Sequence, residues 1–100
     1  MIQHVVMWKF AETAEGKTKA ENMAWVKEHL LALVPIIPEI KKLEIGADIG
    51  GTDMSYDMVL IIELESMDAL HTYKTHPEHQ KVAQYVKKVR IARATVDREL

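Results

Sequence analysis

A chain of 100 residues, 48% hydrophobic and 28% charged, has the size and composition of one small globular domain spanning residues 1–100. A formal charge of −2 supplies no basic field for a nucleic-acid backbone, and the lack of cysteine excludes disulfides, thiolate catalysis and cysteine-held zinc or iron–sulfur centres. No apolar run reaches the ~20 residues of a bilayer span and the first residues do not read as a signal peptide, so a cytoplasmic protein with no membrane association is expected.

IQHVVMWKF, residues 2–10, is rich in β-branched and aromatic residues and predicts a strand. Ile2, His4, Val6, Trp8 and Phe10 share one face, while Val5 and Met7 make the other face apolar as well. A polar segment broken by Gly16 follows, and Thr18 and Glu21 then stand at the spacing of a helix-starting capping box. Behind them Met23, Val26, Leu30, Leu33 and Val34 recur at helical spacing, with Trp25 and His29 bordering the stripe. Pro35 ends that helix and Pro38 keeps it from resuming.

Residues 41–49 alternate Leu43, Ile45, Ala47 and Ile49 with polar positions, the pattern of a half-buried strand. GGTDMS reads as a turn. In the strand expected over 56–65, Tyr56, Met58, Leu60, Ile62 and Leu64 lie on one face and Val59 and Ile61 on the other. Ser66 suits the N-cap of a short helix whose inward arc holds Met67, Ala69, Leu70 and Tyr73. Pro77 suits the first turn of the next helix, and residues 91–97 close the chain as a strand.

The order β-α-β-β-α-β, with its second helical part split in two, is that of an α+β ferredoxin-like unit: a four-stranded antiparallel sheet with helices on one face. Val5, Met7, Val59 and Ile61 would leave an apolar patch on the open sheet face. A second copy packed sheet to sheet would cover it, so the expected partner is the protein itself, as a homodimer. The other arrangement places these residues under the C-terminal tail.

HTYKTHPEH, residues 71–79, concentrates three histidines, which raises the question of a metal site. Helical geometry separates them. His71 falls at the solvent edge of its helix, His76 sits where Pro77 starts the next one, and His79 extends the Val82, Ala83, Val86, Val89 stripe inward. No metal is expected. Tyr73, His79 and His4 all point at the space between sheet and helices. Histidine is the natural general base near neutral pH and a tyrosine hydroxyl can hold a carbonyl, a pairing suited to proton abstraction beside a carbonyl. Each of the three also fits a buried residue that merely satisfies a backbone group. Asp97 can orient a partner or merely close a strand end, the latter being the expected role; His29 is read as structural, and Lys87, Lys88, Arg90 and Arg93 as a solvated face.

The first strand, YDMVL, SMDALHTYKTHPEH and the closing ATVD together resemble the stress-responsive A/B barrel domain family, nearly end to end. The most specific element is Tyr-x-x-His-Pro-x-His, here Tyr73, His76, Pro77 and His79. The resemblance implies a dimeric α+β barrel made from two face-to-face sheets. It also implies a kinship with plant polyketide cyclases, which use a tyrosine and a histidine of this motif in aldol condensation. By motif, Tyr73 holds the carbonyl and His79 is the base; His4, Val6, Trp8, Trp25, Met58 and His76 are the expected ligand-binding residues. Met58 stands where cyclase-type members have a further histidine, and Trp8 and Trp25 are bulky enough to narrow or fill a pocket.

The function expected is therefore a homodimer that binds a small aromatic or polyketide-like carbonyl compound, with cyclase-like acid–base chemistry and no cofactor. The alternative is a non-catalytic, stress-related or ligand-binding scaffold. A cofactor-free monooxygenase on a related α+β barrel is a third class, to which no residue pattern here points.

Overall fold

The computed structural model describes all residues, 1–100. Strands β1 (Ile2–Phe10), β2 (Thr13–Ala14) and β3 (Lys17–Thr18) lead into helix α1 (Lys19–Leu31). Strands β4 (Lys42–Ala47) and β5 (Met58–Leu64), helices α2 (Met67–Thr75) and α3 (Pro77–Val89), and strand β6 (Arg90–Glu99) follow. The main sheet runs β4-β5-β1-β6 with every neighbouring pair antiparallel, the ferredoxin-like arrangement. No helix is long and apolar enough to cross a membrane.

The two-sided apolar pattern of β1 resolves into one packed face and one open face. Ile2, His4, Val6, Trp8 and Phe10 are buried beneath the helices together with Met58, Leu60, Ile62 and Leu64 of β5. Val26 and Leu30 of α1, Leu70 and Tyr73 of α2, and Val82, Val86 and Val89 of α3 complete that core. On the opposite face Val5 lies between Ile61 and Val96, and Met7 between Val59 and Ala94. Met7 is 37% exposed and Val96 61% exposed. The C-terminal segment does not cross this face; it pairs with β1 as an edge strand.

Local signals set the helix starts. Thr18 accepts from the Glu21 N–H while Glu21 reaches back to the Thr18 N–H, completing the capping box. Ser66 caps α2 by accepting from the Ala69 N–H.

Several expected boundaries move. The segment around Gly16 is a small hairpin, β2–β3, whose turn residues Glu15 and Gly16 both have positive φ, the signature of a type I′ turn. Helix α1 ends at Leu31, four residues before Pro35. Leu33 is still buried, from the turn that follows, but Val34 is exposed, as is Met67 on α2. Strand β4 stops at Ala47, leaving Ile49 fully exposed.

Candidate functional site

Two parts of the fold make the site: the C-terminus of α2 and the β1–β6 strand pair, β6 being one edge of the sheet. Helix α2 breaks because Pro77 cannot continue it, and the last carbonyls of a broken helix lack helical partners. The Tyr73 carbonyl accepts from the His76 N–H. The Lys74 carbonyl accepts from His79 Nδ1 at 2.9 Å and from Gln80 Nε2 at 2.7 Å. That backbone bond makes Nδ1 the protonated ring nitrogen of His79 and leaves Nε2 as the free base.

His79 lies against Tyr73, with ring centroids 4.4 Å apart. On the sheet side His4 meets the edge of the same tyrosine at 6.4 Å. His4 stands opposite Asp97 in the β1–β6 register, and its Nδ1 donates to Asp97 Oδ1 at 2.5 Å. Its Nε2 is the ring nitrogen left over. Asp97 thus orients an imidazole instead of closing a strand end. Alternation in a ten-residue strand could have placed Asp97 on this face, but its partner four residues from the chain start could not be read from spacing.

Tyr73, His79 and His4 line one cavity of about 360 Å³ between sheet and helices. Val6, Trp8 and Leu60 form its apolar wall from the sheet, and Leu30 of α1 with Val82 and Val86 of α3 from the helices. Trp8 is a wall of this space and does not fill it. Tyr73 is only 1% exposed as a residue, but its hydroxyl makes no hydrogen bond to another residue and is not a buried unpaired atom, so the little exposure it has is at the cavity. Burial raises the Tyr73 pKa far above that of a free phenol, with the Arg93 charge opposing, so the hydroxyl remains a donor at any physiological pH.

Residues 2–100 match the family described as Stress responsive A/B Barrel Domain. The chain belongs to that family. A dimeric ferredoxin-like protein of unknown function from Bacteroides fragilis is similar, with 28% identity, a TM-score of 0.88, and 99% of this chain and 95% of that one covered. Another dimeric ferredoxin-like protein of unknown function, from Thermobifida fusca, has 25% identity and a TM-score of 0.85 over 99% of this chain and 90% of that one. The hydroxynitrile lyase of Passiflora edulis shares the fold at 13% identity, with a TM-score of 0.83 over 99% and 92% of the two chains. No curated protein matches the sequence.

The A/B barrel motif is therefore present, but its residues do not all meet. His71 is exposed. His76 caps α3, its Nδ1 accepting from the Glu78 N–H at 3.1 Å, and lies outside the cavity. Trp25 is also outside: it stacks on His29 at 3.7 Å and packs on Tyr85 at 3.9 Å, joining α1 to α3. The His29 Nδ1 bonds the Trp25 carbonyl, and the Tyr85 hydroxyl donates to the buried Asn22, which tie this cluster down. Met58 is buried opposite Trp8 in the β1–β5 register and does not line the cavity. In the other direction, Lys87, Arg90 and Arg93, read as a solvated face, do line it, as does Lys74.

The two cavity histidines make stability depend on pH. Burial lowers the pKa of His79, with the Lys74 carbonyl bond opposing, and burial lowers that of His4 against the opposing Asp97 bond. Both are neutral in the folded protein at neutral pH. The unfolded chain takes up protons near the ordinary value of 6.5, where the folded one does not. Stability is then complete above that value and falls as pH drops from it toward the depressed folded values. Melting temperature is expected to fall between about pH 7.5 and about pH 5.5, and less steeply in His79→Gln. An identical slope in the variant would show that His79 has no such titration.

Proposed function

We propose that the protein is a homodimer, associated through its open sheet face, that binds a small aromatic or polyketide-like carbonyl compound between sheet and helices. His79 Nε2 takes a proton from the carbon beside the carbonyl, and the Tyr73 hydroxyl holds the carbonyl oxygen as negative charge builds on it. His4, fixed by Asp97, faces the same space as a second polar contact. The observation that carries this reading is the Tyr73 hydroxyl, protonated, unbonded to other residues and open only to a 360 Å³ cavity, beside a histidine whose tautomer is set by the Lys74 carbonyl. A space of that size suits a small ligand. The dimeric state of the two similar ferredoxin-like proteins supports the assembly.

A non-catalytic ligand-binding scaffold would use the same contacts without transferring a proton. Binding is the first test for both. Acetophenone and related aryl ketones are expected to raise the melting temperature of the wild-type protein, and less so that of Tyr73→Phe and His79→Ala. Stabilisation that is equal in all three proteins places the ligand elsewhere. No stabilisation by any aryl ketone rejects the carbonyl-binding reading.

A further inference from the structure

The mouth of the cavity is cationic in a protein whose net charge is −2. Lys74 at the end of α2, Lys87 in the last turn of α3, and Arg90 and Arg93 of β6 line it, and no Asp or Glu does. None of these four side chains is in a salt bridge. The cations that do pair with carboxylates are Lys19, Lys41, Lys42 and Lys81. Asp97, the carboxylate bonded to a cavity residue, is engaged by His4 Nδ1.

The two lysines have a local reason to be there, because cations at a helix C-terminus are favoured by the helix dipole. Arg90, the C-cap residue of α3, shares that reason, but Arg93 does not. Arg93 stands opposite Trp8 in the β1–β6 register, and Arg90 opposite Phe10. Both partners are buried on the helix-facing side of the sheet, so the arginines leave β6 on that side, beside the cavity. Helices cover β6 less completely than β1: Arg93, Thr95 and Asp97 are exposed where Trp8, Val6 and His4 are buried. The arginines therefore stay hydrated at the opening, with planar donor forks uncommitted. A guanidinium fork matches a carboxylate in two parallel hydrogen bonds.

At the inner end, the unpartnered Tyr73 hydroxyl supplies a separate neutral donor. One cavity thus offers a carbonyl-type contact at depth and an anion-type contact at its mouth. We infer that the ligand is an organic carboxylate that also bears a carbonyl group, its carboxylate held by Arg90 and Arg93 and its carbonyl by Tyr73. This rests on the carbonyl-binding reading above and narrows its substrate class. The same charges bear on the site's protonation: Lys74 and Arg93 both disfavour the charged forms of His4 and His79.

The test compares 4-acetylbenzoate with its neutral methyl ester by isothermal titration, on the wild-type protein and on the Arg90→Gln/Arg93→Gln double variant. Wild type is expected to bind the acid at least about tenfold tighter than the ester, a difference of about 1.4 kcal/mol. The double variant loses that preference while retaining ester binding, and salt weakens the acid alone. Ester binding equal to or tighter than acid binding in wild type overturns the anion inference and leaves the carbonyl reading standing. Acid preference that survives in the double variant overturns the arginine assignment. Tighter binding of 4-acetylphenyl phosphate than of the acid overturns the choice of carboxylate. If neither acid nor ester binds, the carbonyl reading itself fails, and this inference with it.

Discussion

Met7→Asp and Val96→Asp are each expected to convert the protein from dimer to monomer at micromolar concentration. Both side chains lie on the open sheet face, and both are substantially exposed in the protomer, at 37% and 61%. A charge there costs the isolated protomer little, since exposed substitutions usually change stability by within about 0.5 kcal/mol. In a face-to-face dimer the same carboxylate must leave water, and two-fold symmetry introduces it twice. Dissociation is expected to strengthen on the order of 100-fold or more, equivalent to about 2.8 kcal/mol. The partner faces that would meet are apolar at their centres: Val5 and Met7 of β1, Val59 and Ile61 of β5, and Val96 of β6. Charged and polar residues ring them, among them Gln3, Arg98, Lys42 and Glu63. Light scattering gives the mass, and circular dichroism checks that the variants keep their fold. A wild-type mass of one chain, or variants that remain dimeric, rejects the sheet-to-sheet assembly.

The ferredoxin-like frame was legible because strand and helix periodicities are written in short windows. Ser66 and the Thr18–Glu21 pair mark helix starts through bonds spanning three residues, and Pro77 marks one by its fixed φ in the first turn, so sequence spacing is enough to find them. The apolar outer face of β1 and β5 was legible for the same reason. The hairpin at Glu15–Gly16 was missed because a non-glycine residue takes a left-handed backbone there, which composition disfavours. Trp25 was misplaced because a helix stripe has two flanks, and only the packing of α1 on Tyr85 of α3 decides which one faces the cavity.

Asp97 and the arginines show the other limit. Their significance lies in the β1–β6 pairing, which joins residues separated by eighty or more positions. Reading residues 90–99 alone, alternation of charged and small residues describes any edge strand. Only the register against His4, Trp8 and Phe10 shows which of those charges leave the sheet on the cavity side.

His79→Gln is expected to lower proton exchange from a bound ketone on the order of 100- to 10,000-fold, the range for loss of a positioned general base. The measurement is the disappearance of the methyl proton signal of acetophenone in D2O, followed by NMR with saturating ligand. Glutamine keeps a donor for the Lys74 carbonyl, so the α2–α3 junction is disturbed less than by alanine. Tyr73→Phe keeps the ring that packs against His79 and removes only the hydroxyl; exchange should fall on the order of 100-fold through loss of the oxyanion donor. The pH profile identifies the base. His79 acts only when neutral, and burial sets its folded pKa below 6.5. Wild-type exchange should thus be level near neutral pH and decline only as pH falls through that depressed value. A rate that still climbs steeply above about pH 7, or that His79→Gln leaves unchanged, assigns the proton transfer to another group. Ligand binding with no exchange in the wild type decides for the scaffold, because Tyr73 and the cavity would then hold a carbonyl that His79 does not deprotonate.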